Sequence, residues 1–382
     1  MRILLINIVC LLCLKAEAQT SAFHLADSLY AVGNYQKAIS TYQNSVHLTA
    51  PHYQKIANAY QATGNFSMAI KNYKVAVKQD QDLIIAKSNL GKLYYQTRNY
   101  HLADSLFKEL TSQFPENPDF YYRLALAKDQ LNDSTAMLDY QKVLQIDKNH
   151  QQALYAIAKH KYTDKEYDEV EKIGAQALSS YPENTKMISL LGQNAIAQKN
   201  ILLAKSRFEQ LIKLNKKTVF THFSLGTCYF ALKKYEKAYQ QFVAVIQLEK
   251  NNQQALLYAG KCLNELKRYS EAEEFLKLAV LLVDQPVDDY YTNYAISLQN
   301  QKKFKLAIDN FKIALEEYSQ NYRAQYELAV CADNYYEDLQ TKINYYELFL
   351  QKFQKIEKAK YYVYLAKNRL SDLRVANHLT KK

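Results

Sequence analysis

One alanine-like position returns along the chain at Ala38, Ala69, Ala103, Ala136, Val170, Ala204, Ala238, Ala272, Ala307 and, as a weaker match, Thr341. The intervals are 31, 34, 33, 34, 34, 34, 34, 35 and 34 residues. A period held this steadily constrains the fold more than any other feature. Each unit is one small module that cannot bury its apolar face alone, so the units must stack on one another.

The interior of a unit shows what the module is. Leu90-Gly91-Lys92-Leu93-Tyr94 is followed by Tyr100, Ala103, Phe107 and Pro115. Leu225-Gly226-Thr227-Cys228-Tyr229 is followed by Tyr235, Ala238 and Phe242 at the same spacing. Tyr53, Ile56, Ala57 and Tyr60, or Leu256, Ala259, Gly260 and Leu263, lie on one face of a helix. A second set follows a short polar break, as in Phe304, Ala307, Phe311 and Ala314. Each unit is therefore two amphipathic helices joined by a tight turn. Gly33 and Gly64 suit that turn because glycine accepts positive φ, and Pro115 and Pro182 stop second helices. With 7 Gly and 5 Pro in 382 residues, little remains for sheets and long loops.

These residues resemble the tetratricopeptide repeat: a bulky residue, Leu-Gly and Tyr in the first helix, then Ala, an aromatic and Ala in the second. The match covers about residues 20–350. The resemblance implies an all-α fold, a right-handed superhelical solenoid of nine or ten helix-turn-helix repeats, with the first helices lining a concave groove. The fourth unit lacks the Gly-aromatic turn and the tenth is degenerate after Cys331, which leaves the count open. The chain divides into residues 1–18, a repeat region 19–350 and a basic end 351–382. Ala359, Tyr362, Val363, Ala366 and Leu370 form one apolar stripe, which predicts a capping helix over 356–375 with a frayed tail at 376–382.

Residues 1–18 read as a cleaved export signal. Arg2 precedes an apolar run from Ile3 to Leu14, and Ala16-Glu17-Ala18 supplies an A-x-A site. The run is too short to span a bilayer. Val9 and Leu12 stand before Cys10 and Cys13, where lipidation needs a small residue. The expectation is a periplasmic or secreted protein, cleaved after Ala18, with no transmembrane segment in the mature chain. Cleavage removes two cations and one anion, so the net charge falls from +11 to +10. That charge is dispersed except at 351–382, where nine Lys or Arg face Glu357 and Asp372. Without a recognition motif it does not point to nucleic acid.

Chemistry finds no foothold. Gly33 and Gly64 serve turns, Gly91, Gly192, Gly226 and Gly260 take the small position where helices approach, and Gly174 replaces a second-helix aromatic. None is left for a phosphate-cradling loop. Cys228, Cys262 and Cys331 share one slot in their units and read as buried small hydrophobes. A Cys228–Cys262 bridge is disfavoured, since equivalent positions in stacked helices stand roughly 10 Å apart. The histidines show no metal spacing, and His222 reads as a packed core residue. The expectation is no catalytic group, no metal and no cofactor.

By its place in the repeat, the resemblance assigns Tyr95, Tyr122, Tyr155, Tyr162, Phe220, Phe223, Phe230, Lys92, Lys159, Lys261 and Arg323 to the groove. Of these, Tyr122, Tyr155, Lys159, Tyr162, Phe220, Phe223, Phe230 and Lys261 are the candidate ligand-binding set. Aromatics beside cations suit a peptide or protein partner, making the chain a non-catalytic scaffold of the cell envelope. The alternative is a glycan or peptidoglycan stacked on the rings. A carboxylate clamp of the kind that holds a chaperone C-terminus is incomplete: Asn58 and Asn89 fit, but Gln54 and Asp119 stand where lysines belong.

Overall fold

The computed structural model describes residues 22–45, 47–283 and 287–380. The proposed export signal, with Cys10 and Cys13, lies outside them. Every regular element among the described residues is helical. The chain divides into two compact units, Met1–Tyr181 and Pro182–Lys382.

The first unit holds five helix pairs. They are α1 (22–31) with α2 (Tyr35–Gln43), α3 (Ala50–Ala62) with α4 (Phe66–Gln79), and α5 (Ile84–Gln96) with α6 (Tyr100–Gln113). Then come α7 (Pro118–Gln130) with α8 (Ala136–Ile146), and α9 (Gln151–Thr163) with α10 (Tyr167–Ser180). The second unit holds another five. These are α11 (Thr185–Ala197) with α12 (Ile201–Lys213), α13 (Val219–Ala231) with α14 (Tyr235–Leu248), and α15 (Gln253–Glu265) with α16 (Tyr269–Leu281). They continue with α17 (Asp288–Asn300) and α18 (Phe304–Glu317), then α19 (Tyr322–Tyr335) and α20 (Leu339–Phe353). A 3₁₀ turn, Glu357–Ala359, leads into α21 (Lys360–Leu379). We call the odd-numbered helices A and their even-numbered partners B. Among the described residues there are thus ten pairs and one further A-type helix.

Packing within a pair rests on removing a side chain. A Cβ on Gly226 would stand 2.9 Å from the Phe242 ring, and one on Gly91 2.8 Å from Phe107. The aromatic of the B helix thus fills the space left by the glycine of the A helix. Both rings are fully buried.

The two kinds of connection are closed by different chemistry. Many B-to-A turns end on a capping side chain: Asn252 accepts from the Ala255 N–H at 2.9 Å and Asn321 from Ala324 at 3.0 Å. The A-to-B turns instead need one residue in the left-handed region. Gly33 and Gly64 supply it at φ 78° and 76°, as expected. Further along the same place is held by Arg98, Asn132, Lys165, Lys199, Lys233, Lys267 and Lys302 at φ 56–62°.

The two irregular units keep the architecture. In the fourth, Asp133 accepts from the Thr135 N–H at 2.8 Å, and α8 begins late and has 11 residues. In the tenth, Asp338 caps α20 through the Thr341 N–H at 2.7 Å, without a left-handed residue.

The end of the stack is polar by design of one stripe. In α19, Ala324, Leu328 and Cys331 pack toward α18, while Ala329 packs against α20, Gln325 accepts from Lys352 of α20 at 3.2 Å, and Ala332 is buried. The residues 35 further on are Ala359, Val363 and Ala366, all buried, and Lys360, Tyr364 and Lys367, all exposed. Thus α21 makes the contacts of an A helix to its predecessor but offers lysines where a B helix would dock. It also runs four residues beyond the predicted 375, through the segment expected to fray. Asn377 reaches back to Gln340 of α20 at 3.3 Å, and Leu373 is buried. No helix among the described residues is long and apolar enough to cross a membrane.

Candidate functional site

Successive A helices touch within a unit, as α5 does α7 and α15 does α17, and the candidate residues lie along the A helices. In the first unit, Tyr122 of α7 and Tyr155 of α9 occupy equivalent places, both half-buried. The Tyr122 ring lies 5.2 Å from His150 and 6.0 Å from Tyr140, with Arg123 at 5.7 Å. Burial pushes the Tyr122 phenol up and the His150 imidazole down, so both stay neutral near pH 7. Tyr162 packs on Tyr167 at 6.0 Å. Lys159 is exposed and enters no ion pair among the described residues.

In the second unit, the candidate aromatics converge on a residue that the sequence reading passed over. Tyr258 of α15 lies 5.7 Å from Phe223, 5.6 Å from Phe230 and 5.1 Å from Phe242, with the Lys261 ammonium 5.2 Å from its centroid. Phe223 and Phe230 therefore meet Tyr258 edge to face and are half-buried. Phe220 stands apart: it touches Phe208 at 6.0 Å and keeps 45% of its surface exposed.

Two of the groove cations are tied down by the following A helix. Lys92 pairs with Asp119 at 3.4 Å, and Lys261 pairs with Asp289 at 2.8 Å, an equivalent contact in the other unit. Asp119 also accepts from Arg123 at 3.1 Å. The clamp positions are likewise committed, for Tyr73 donates to Asn58 at 2.5 Å. Arg323 is exposed beside Glu327, whose buried carboxyl is pushed up and accepts from Gln299 at 2.9 Å.

Several candidate aromatics also have a folding role. Tyr30–Tyr35, Tyr95–Tyr100, Tyr162–Tyr167 and Phe230–Tyr235 are one recurrent contact at 5.2–6.0 Å, from the end of an A helix to the start of its B helix. Tyr162 and Phe230 therefore brace a turn as well as face the A-helix surface. His222 is half-buried and shares a hydrogen bond with Gln241 at 2.8 Å, in keeping with its reading as a packed residue. Cys228, Cys262 and Cys331 are free and buried, with burial pushing their thiols up to about 11, 12 and 12. No group of three His, Cys, Asp or Glu that could hold a metal occurs among the described residues.

Tetratricopeptide repeat profiles match residues 50–83 and 88–150, and a profile of anaphase-promoting complex, cyclosome, subunit 3 matches residues 207–279. No curated protein sequence matches the chain. Among solved structures, yeast Tom70 is similar at 12% identity, covering 96% of this chain and 100% of that one, with a TM-score of 0.41. The APC/C hetero-tetramer Cut9-Hcn1 is similar at 12% identity, covering 92% and 84%, with a TM-score of 0.44. YrrB, a TPR protein with an unusual peptide-binding site, is 16% identical over 58% of this chain and 96% of that one, with a TM-score of 0.36.

Proposed function

From the premise that the chain is built of tetratricopeptide repeats, we propose that it is a non-catalytic scaffold of the cell envelope. In this reading its A-helix surfaces bind a peptide or protein partner. The observation that carries the reading is the pairing of aromatic rings with a free cation on neighbouring A helices of the first unit. Tyr155 stands one helical turn before the exposed Lys159 on α9 and Tyr122 holds the equivalent place on α7, and the rings lose little freedom on binding because they are already half-buried. Phe220 gives the second unit an open aromatic of its own.

A glycan would need open ring faces. Phe223 and Phe230 spend their edges and faces on Tyr258, Phe242 and Tyr235, which favours a peptide inserting side chains over a sugar stacking flat. Export rests on the A-x-A pattern of Ala16-Glu17-Ala18. Its test is mass spectrometry of the protein from fractionated cells: a mature chain beginning at Gln19 is expected, and a cytosolic chain retaining Met1 contradicts it. For binding, the test is native purification from membranes with the unaltered protein and a Tyr122→Ala/Tyr155→Ala variant. A stoichiometric protein partner lost in the variant is expected. Saturable binding of cell-wall fragments with no protein partner would put the glycan reading in its place.

A further inference from the structure

The A-to-B turns of the second unit carry a feature that neither folding nor the A-helix surface uses. Lys199, Lys233, Lys267 and Lys302 occupy the same place in four successive turns, each in the left-handed region at φ 57–62°. All four are exposed, and none of their ammonium groups is held in an ion pair among the described residues. A left-handed conformation at a residue with a Cβ costs about 1 kcal/mol, which glycine avoids and asparagine reduces. The chain uses both solutions at Gly33, Gly64 and Asn132, while Arg98 and Lys165 hold the place singly in the first unit; only the second unit sets a lysine there in four successive turns. Four consecutive lysines at the least suitable backbone position therefore work against local stability.

The next residue adds to the conflict. Lys234, Arg268 and Lys303 are the N-caps of α14, α16 and α18, without a side-chain cap hydrogen bond. A cation at a helix N-terminus meets the positive end of the dipole. Two of these cations are neutralised from within: Arg268 by Glu236 and Glu271 at 3.2 and 2.6 Å, and Lys303 by Glu273 at 2.6 Å. Those three carboxylates are thereby engaged, and the left-handed lysines stay outside the ion pairs among the described residues. Sequence choices that oppose local structure without a folding benefit mark functional surface.

We propose that this turn edge of Pro182–Lys382 is a second docking surface, separate from the A-helix surface, for an extended acidic polypeptide. Equivalent places in stacked helices advance by roughly 10 Å. A polyproline II segment advances about 9 Å per turn of three residues, so a carboxylate at every third residue falls in line with the lysines. A membrane surface fits less well, because lying on lipid needs apolar residues that dip into it. Of the residues flanking the four lysines only Leu232 and Leu266 are apolar, and both are half-buried.

The test uses the full mature chain and a fluorescein-labelled peptide of repeated Pro-Pro-Glu triplets, read by anisotropy. Saturable, salt-sensitive binding is expected, with no binding of the Pro-Pro-Gln counterpart. Changing Lys199, Lys233, Lys267 and Lys302 together to Asn removes the charge at positions where Asn accepts the backbone. Binding should weaken about tenfold or more, while the thermal midpoint holds or rises. Equal binding of the two peptides, or full binding by the variant, would overturn the proposal. So would tight binding to phosphatidylserine vesicles together with none to the peptide.

Discussion

Gly226 and Phe242 share one space: a Cβ on the glycine would lie 2.9 Å from the Phe242 ring, which is fully buried. The same relationship joins Gly91 to Phe107, Gly192 to Phe208 and Gly260 to Leu276. It makes helix pairing depend on a missing methyl group. Gly226→Ala should destabilise the second unit by about 1–3 kcal/mol through overpacking. In a Phe242→Ala background the same change should cost almost nothing, because the ring it strikes is gone. Urea denaturation of the four proteins of this cycle measures the coupling, and additive effects would show that the two residues do not compete.

The Lys87 ammonium is buried in α5 and reaches Glu109 of α6 at 2.5 Å. It occupies a place where other A helices put Leu154 or Leu256. Lys87→Met should therefore be neutral or stabilising, since it removes a charge that needs a partner. Glu109→Gln should cost about 1–3 kcal/mol by leaving the ammonium poorly matched. Chemical denaturation of both variants checks this, and the order of the two effects is the discriminating result.

Asp333 joins the last three helices. It accepts from Arg369 of α21 at 2.6 and 3.1 Å, pairs with Lys342 of α20 at 3.5 Å, and accepts from Tyr346 at 3.3 Å. Burial alone would push its carboxyl up, but Arg369 and Lys342 together hold it below the usual 3.8. A depressed folded value means that ionised Asp333 stabilises the fold above the unfolded value. That stabilisation is lost as pH falls through the folded value. Asp333→Asn should cost about 2 kcal/mol at neutral pH. It should also flatten the loss of stability below about pH 4, measured by thermal melts across an acid series.

Cys228, Cys262 and Cys331 are buried with elevated thiol values. A thiol-reactive dye should label the native mature chain only as fast as it opens, and label the unfolded chain at once. Rapid native labelling of any of the three would contradict the packed-slot reading.

The sequence made the helix pairs legible because the repeat leaves one pattern ten times over. Gly226 and Phe242 could be matched by spacing alone, and so could the cysteine slot. The ion pairs of the A-helix surface were harder. Lys261 looks like a free groove cation until Asp289 is seen to sit against it in the next A helix. Tyr258 was missed for a related reason: its equivalents include Arg123, Ser224 and Asn293, so no repeat pattern flags it, and its importance comes only from the rings that meet it. The reach of α21 past residue 375 depends on contacts with α20 that a single apolar stripe does not encode. The left-handed lysines were visible as letters, but their backbone conformation was not.

The A-helix surfaces are proposed to hold a protein. A photo-reactive amino acid placed at Tyr155 or at Phe220, with a control at the exposed Leu278 of a B helix, tests it most directly. One protein should be cross-linked in living cells from an A-helix position, be absent from Leu278, and be lost when Lys159 is changed to Glu beside the Tyr155 probe. No protein cross-link from either A-helix position above the Leu278 level would contradict it.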